Sequence, residues 1–202
     1  MQSRTKNRVL LLLAMMAVSS GAAVATAQAV DAARSGAHAE LALEYNYVRA
    51  NAGPGECGCF NLDGGSATFA WPVRSGSFAL AGDASITHAG AISSNGYSLT
   101  LSAFTVGVRY TPRLHYLPLR PFGQVLVGVA HASGSLVEGI NPAASNAGAA
   151  FASNVGGGID LRATHHLSLR LIEADYLLTT FDNGGNDHQN NFRLGAGVVF
   201  RF

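Results

Sequence analysis

The chain has 202 residues, enough for one domain, and its 13 Lys and Arg nearly balance 12 Asp and Glu, so a basic nucleic-acid surface is excluded. Glycine is abundant at 24 residues, and the sole lysine is Lys6. Water-exposed surfaces ordinarily carry Lys freely, so a chain whose only strong cation beyond residue 6 is Arg is ill suited to a soluble exterior.

Arg4, Lys6 and Arg8 precede the apolar stretch Val9 to Val18, and small-x-small sites follow at Ala25-Thr26-Ala27 and Ala27-Gln28-Ala29. A membrane-spanning helix needs ~20 apolar residues, and this stretch is too short. It reads as a secretory signal over residues 1–29, cleaved after Ala27 or Ala29, with 30–37 as a short lead-in and 38–202 as the folded domain. No Cys near the cleavage region supports a lipoprotein anchor. Without the leader, ten Arg face twelve acids, a net charge of about −2.

From residue 38 onward the sequence breaks into eight alternating stretches separated by turn-forming residues, and no amphipathic helix stands out. The first, His38 to Ala50, sets Leu41, Leu43, Tyr45 and Tyr47 against Glu40, Glu44 and Asn46. The second, Leu62 to Val73, sets Phe69, Trp71 and Val73 against Ser66 and Thr68; the third, Ser77 to His88, sets Phe78, Leu80 and Ile86 against Asp83, Ser85 and Thr87. In the fourth, Tyr97 to Thr111, the pattern slips near Ala103, after which Phe104, Val106 and Val108 oppose Thr105 and Arg109, as a bulge would produce.

The fifth, Leu119 to Ala132, opposes Val125, Val127 and Val129 to Gln124; the sixth, Ala149 to Thr164, opposes Val155, Ile159 and Leu161 to Asn154, Asp160 and Arg162. The seventh, Leu167 to Phe181, slips after Leu171, so that Glu173 and Asp175 take the polar face begun by Arg170. The eighth, Asn191 to Phe202, alternates from Phe192 to Phe202, with Arg193 and Arg201 on its other face. Connections after the odd-numbered stretches read as Gly-, Asn- and Ser-rich loops, and those after the even-numbered ones as mostly tighter turns.

These features predict an all-β fold: an eight-stranded antiparallel transmembrane β-barrel in an up-and-down meander, in the bacterial outer membrane with both termini periplasmic. A barrel satisfies every strand edge, as hydrocarbon demands, and lets lipid cover the apolar faces. An exported β-sandwich would alternate too, but its exposed charged faces would carry Lys, and aromatics at Tyr45, Tyr47, Trp71, Tyr110, Phe181 and Phe202 suit interfacial girdles. The polar faces then meet in the lumen. Glu40, Glu44, Asp83, Asp160, Glu173 and Asp175 stand there against Arg109, Arg162, Arg170, Arg193 and Arg201, with Arg120 a further candidate. Eight strands enclose just enough room for such side chains to fill, so the expected lumen is plugged.

On these residues the chain resembles the outer membrane protein β-barrel domain family, the OmpA/OmpX-like small barrels. The resemblance is carried by the signal, the eight stretches, Leu119-Arg120-Pro121-Phe122-Gly123, Gly156-Gly157-Gly158-Ile159-Asp160-Leu161-Arg162, Leu167-Ser168-Leu169-Arg170-Leu171 and the terminal Phe. It covers about residues 37 to 202. It implies that Phe200 and Phe202 belong to the signal read by the barrel-assembly machinery, and that the partners are outer-membrane lipid and lipopolysaccharide. The chain ends at the barrel, so a peptidoglycan-binding role does not carry over.

The remaining motifs point less far. Cys57-Gly58-Cys59 is a candidate disulfide in the first outside loop; a metal there would have only Glu56 and Asp63 as further donors, and no metal or cofactor is expected. His131 and Ser133 share the lipid-facing parity and, with Glu138, compose the nucleophile-base-acid set of an outer-leaflet lipid-modifying enzyme, as in the PagL lipid A deacylases. The plainer reading of that trio is a polar rim. Adjacent His165 and His166 point to opposite faces and suit a solvated turn; the Gly156 to Gly158 run lacks the helix and the Lys-Ser/Thr pair of a phosphate loop. The expected function is therefore a non-enzymatic barrel with a structural or surface-interaction role and an unidentified extracellular loop ligand. A small low-conductance pore and the deacylase are the alternatives.

Overall fold

All eight stretches are strands in the computed structural model, which describes residues 38–50, 60–73, 77–92, 96–112, 118–134, 149–181 and 187–202. The leader, the lead-in, Cys57, Cys59 and Glu138 lie outside the described residues. The strands are β1 (Glu40–Ala50), β2 (Phe60–Pro72), β3 (Phe78–Ile92), β4 (Tyr97–Tyr110), β5 (Leu119–Ser133), β6 (Ala149–Arg162), β7 (Leu167–Thr179) and β8 (Gln189–Arg201). Each pairs antiparallel with its sequence neighbours, and β8 closes on β1, setting Gly197 opposite Glu44 and Phe200 opposite Leu41. Closure leaves no edge strand, which is the condition for placing a sheet in hydrocarbon.

Alternation splits each strand between two environments. Leu80, Ile86, Phe104, Val125, Leu171 and Phe192 point outward and are exposed, within an apolar surface that encircles the barrel. A water-soluble protein does not leave so large a continuous apolar surface uncovered. Near the end of the barrel that carries Phe202, aromatic pairs thicken this belt: Phe69 with Trp71 at 5.9 Å between ring centroids, and Phe78 with Tyr110 at 4.9 Å.

The interior has two tiers. Toward the end carrying Phe202 it is charged. Toward the far end it is apolar, built from Val48, Leu62, Ile92, Leu101, Leu177 and a set of alanines. This upper tier departs from the sequence reading, in which apolar meant lipid-facing. The slip expected in β4 near Ala103 is absent: Leu101, Ala103, Thr105 and Arg109 all face inward without a break, and the register with β5 is continuous. Leu101 and Ala103 look out of phase only because they belong to the apolar tier. The irregularity on that side lies in β3, between Ala89 and Ile92. Phe181, expected in the outer girdle, packs against the same inner cluster.

The slip expected in β7 is present. Leu171 and Ile172 both face outward, and the register of β7 shifts between Arg170 and Glu173 on the β8 side and beside Ile159 and Asp160 on the β6 side. This bulge lets Arg170 and Glu173, three apart, face the lumen together. Loop lengths follow the expected asymmetry only in part: the link over 93–96 is short and the one over 111–118 is longer.

Several inward glycines sit where a side chain cannot. A Cβ on Gly197 would lie 2.0 Å from the Leu43 carbonyl oxygen and 2.8 Å from Glu44 Cα, both backbone atoms of the neighbouring strand. Gly197→Ala is therefore expected to cost about 1–3 kcal/mol through overpacking. Gly82 faces outward with Val106 Cγ1 as its nearest neighbour at 3.7 Å, so Gly82→Ala should stay within about 0.5 kcal/mol. Urea unfolding followed by fluorescence of Trp71, the only tryptophan, checks both.

Candidate functional site: the charged lumen

Two arginines organise the charged tier. Arg170 on β7 donates from Nε to Asp160 Oδ1 at 2.8 Å and from NH2 to Asp160 Oδ2 at 3.3 Å. Its NH1 donates both to Glu44 Oε1, at 2.8 Å, and to Glu173 Oε2. Arg193 on β8 reaches Asp83 Oδ1 from NH1 at 2.9 Å and Asp175 Oδ2 from NH2 at 2.6 Å and Nε at 3.0 Å, with a longer contact to Glu173 Oε1 at 3.4 Å. The guanidinium fork suits this task, since its fixed donors serve several carboxylates at once. These bonds run from β7 to β1 and β6, and from β8 to β3 and β7, so the ionic lattice ties the barrel across its bore.

Neutral groups complete the plug. Gln124 accepts Arg109 Nε and NH2 at its Oε1, at 3.1 and 2.7 Å, and passes its own Nε2 hydrogen to Glu173 Oε1 at 2.9 Å. Thr68 donates to Asp83 Oδ2 at 2.9 Å. The Phe122 ring has the guanidinium carbons of Arg109 and Arg170 each 4.3 Å from its centroid, a contact that stabilises cations removed from water. Gly158, opposite Phe122, gives that ring its space: a Cβ there would stand 2.9 Å from the ring edge. Gly156 does the same for Asp175. Below the lattice, Glu40 accepts from Arg120 NH1 at 2.7 Å and from Arg201 Nε at 3.1 Å.

The sequence-derived set therefore divides. Glu44, Asp83, Arg109, Asp160, Arg170, Glu173, Asp175, Arg193 and Arg201 are buried inward, and Glu40 is partly so. Arg162 is the exception: it shares the inward parity but stands exposed at the last residue of β6, where the bore opens to water. Arg120 joins through Glu40. Phe122 and Gln124 were missed because an aromatic and an amide carry no charge signal; the inward parity of Phe122 with Gln124 was the available clue.

Outside the lumen, His131 faces outward and is exposed, and the partly buried Ser133 follows on the same side. In register, His131 stands opposite Ser102, and Ser133 stands opposite Thr100, whose hydroxyl meets His88 Nδ1 at 2.9 Å. Ser133 therefore neighbours the His88 pair rather than His131 alone. Phe200 faces outward, and Phe202 is held at the β1 edge by its N–H to the Ala39 carbonyl at 3.0 Å and by His38 Nδ1 at its own carbonyl, also 3.0 Å.

A closed eight-stranded antiparallel meander with an apolar exterior and an ion-paired interior defines the class of small outer-membrane β-barrels. Within that class the chain is similar to the crystal structure of Neisserial surface protein A, with a TM-score of 0.60 at 13% identity, over 81% of this chain and 97% of that one. It is also similar to Ail, the attachment invasion locus protein of Yersinia pestis, at 0.55 and 14% identity over 82% and 99% of the two chains. At such identities the likeness is one of fold. No protein-family model matches the chain, and no curated protein matches it in sequence.

Proposed function

We propose that the protein is a non-enzymatic barrel of the bacterial outer membrane, with both termini periplasmic. Its lumen acts as a structural plug, and its far-end loops meet the surroundings. The observation that carries this reading is the buried lattice of Arg170 and Arg193 with five carboxylates, closed by Phe122 and Gln124 and capped by the apolar tier. Side chains that fill and bind one another across the bore oppose a water path for ions, so the plug favours a scaffold over a pore. Purified wild-type barrel in planar bilayers is expected to show no ionic conductance; steady single-channel currents would overturn the plug. Unchanged lipid A composition after expression is the matching expectation against a deacylase built on His131 and Ser133.

The loops set what the surface meets. The connecting segments 51–59, 93–96, 134–148 and 180–188 contain Glu56, Glu138, Asp182 and Asp187 and no Lys or Arg. One of the similar structures is Ail in complex with the heparin analogue sucrose octasulfate, at a TM-score of 0.53 and 13% identity. The anionic segments here repel such a ligand, so this barrel is expected to pass through a heparin column at low salt, whereas retention would refute the charge argument.

The terminal aromatic serves insertion in this reading. Phe202→Asn should lower the yield of assembled barrel, read as the heat-modifiable band, without changing the fold of the fraction that inserts. Normal assembly of that variant would remove the assembly signal from Phe202.

A further inference from the structure

The bore is charged unevenly along its length. At the mouth on the Phe202 end, Arg120 of β5, Arg162 of β6 and Arg201 of β8 all take the inward parity, and the acid at their level is Glu40 of β1, opposite Arg201 in register. One oxygen of that acid serves two of them: Glu40 Oε1 accepts from Arg120 NH1 at 2.7 Å and from Arg201 Nε at 3.1 Å. Arg162 has no ion pair among the described residues. Both Arg120 and Arg162 lie near enough to repel the charge of Arg201. Three cations therefore share one anion.

The same mouth has donors without acceptors. Arg201 is 3% exposed, and neither its NH1 nor its NH2 has a hydrogen-bond partner. Ser168 of β7, opposite Arg162 on one side and Val199 on the other, is fully buried with its hydroxyl unpaired. Regrouping within the cluster does not cure this, because Glu40 brings one charge and the Ser168 hydroxyl none. The acids farther in are engaged or screened off. Asp160 gives both oxygens to Arg170, and Ala42 and Val199, paired in register and buried, stand between Arg201 and Glu44. Donors removed from water without an acceptor are costly, and more so when charged. Access is from the open side, where Arg162 is exposed and the Arg120 side chain is 28% exposed.

We propose that this mouth binds one dianionic phosphate group, as inorganic phosphate or a soluble phosphate monoester, between the guanidinium groups of Arg120 and Arg162 and over that of Arg201. Guanidinium forks pair phosphate oxygens in bidentate fashion, and a dianion matches the surplus of two positive charges. Glu40 holds Arg120 and Arg201 side by side, and Arg162, exposed and unpaired, is free to turn onto the ligand. A bilayer phosphodiester suits the site less well. It carries a single negative charge and lies outside the ring of strands, whereas the three arginines have the parity of the bore.

The proposal does not rest on the plug: a barrel that conducts and still binds phosphate would overturn the functional reading and leave this site. The full chain without its leader is refolded into neutral detergent. Sodium phosphate is titrated into it calorimetrically at mildly alkaline pH, where phosphate is a dianion, against sodium chloride of equal ionic strength. The expected result is saturable one-to-one binding that sulfate competes away and chloride does not. Arg162→Gln should weaken it about tenfold while keeping the heat-modifiable band, because that side chain pairs with nothing in the fold. Arg120→Gln should weaken it to a similar degree. Arg49→Gln, on the outer face where Arg49 bonds Asn61, should leave it unchanged. Absence of saturable binding in the wild type overturns the site even if Arg120→Gln fails to fold. So does unchanged affinity in Arg162→Gln, or an equal loss in Arg49→Gln, which would mean diffuse attraction to positive charge. Displacement of phosphate by phosphatidylglycerol in the micelle would likewise overturn it, by assigning the mouth to lipid.

Discussion

Arg170→Met should destabilise the barrel by about 3–5 kcal/mol, the cost of leaving buried charges without their partner. Arg170 holds Asp160, Glu44 and Glu173 at once, and its side chain is fully buried, so no water can replace it. Urea unfolding monitored through Trp71, or the temperature at which the folded gel band is lost, measures the effect. The charge argument makes a second demand: combining Arg170→Met with Asp160→Asn, Glu44→Gln and Glu173→Gln should recover a large part of the loss, because the three side chains that Arg170 held then carry no charge to strand. A single variant as stable as wild type would mean that the lattice is ornamental. Arg170→Lys should fall between, since an ammonium keeps the charge and loses the planar fork that spans three carboxylates.

Phe122→Ala should cost about 3–5 kcal/mol, as large aromatic truncations in packed interiors do, with the lost cation contacts included. The ring stands against both Arg109 and Arg170, so its removal opens the lattice at the point where two guanidinium groups pack on one aromatic side chain. Water entering that gap links the two cations to solvent. The expected consequence in planar bilayers is a small conductance that the wild type lacks, and Phe122→Leu should restore the seal better than Ala. A silent Phe122→Ala variant with full stability would show that the apolar tier alone blocks the bore.

Alternation from Leu41 to Tyr47 and from Phe192 to Phe202 made the strands and their outward faces legible, because a strand between lipid and lumen must alternate. The slip in β7 was legible for the same reason: Arg170 and Glu173 cannot share a face at a spacing of three without a bulge. The β4 reading failed where the physics of the lumen changed, since Leu101 and Ala103 are apolar and inward, and parity with Phe104 cannot be judged from hydropathy when both environments are apolar. Arg162 has the right parity but the wrong height, and height depends on where the bore opens.

Sequence by itself determined the strand number, the closed class of fold and, Arg162 apart, which of the charges it singled out face inward, because each follows from a period of two along single strands. Only the tertiary structure decided which charges meet. Arg170 joins Glu44 across 126 residues, and Arg193 joins Asp83 across 110. Such pairs are set by barrel closure and register, which relate strands to one another. No periodicity within one strand encodes that relation.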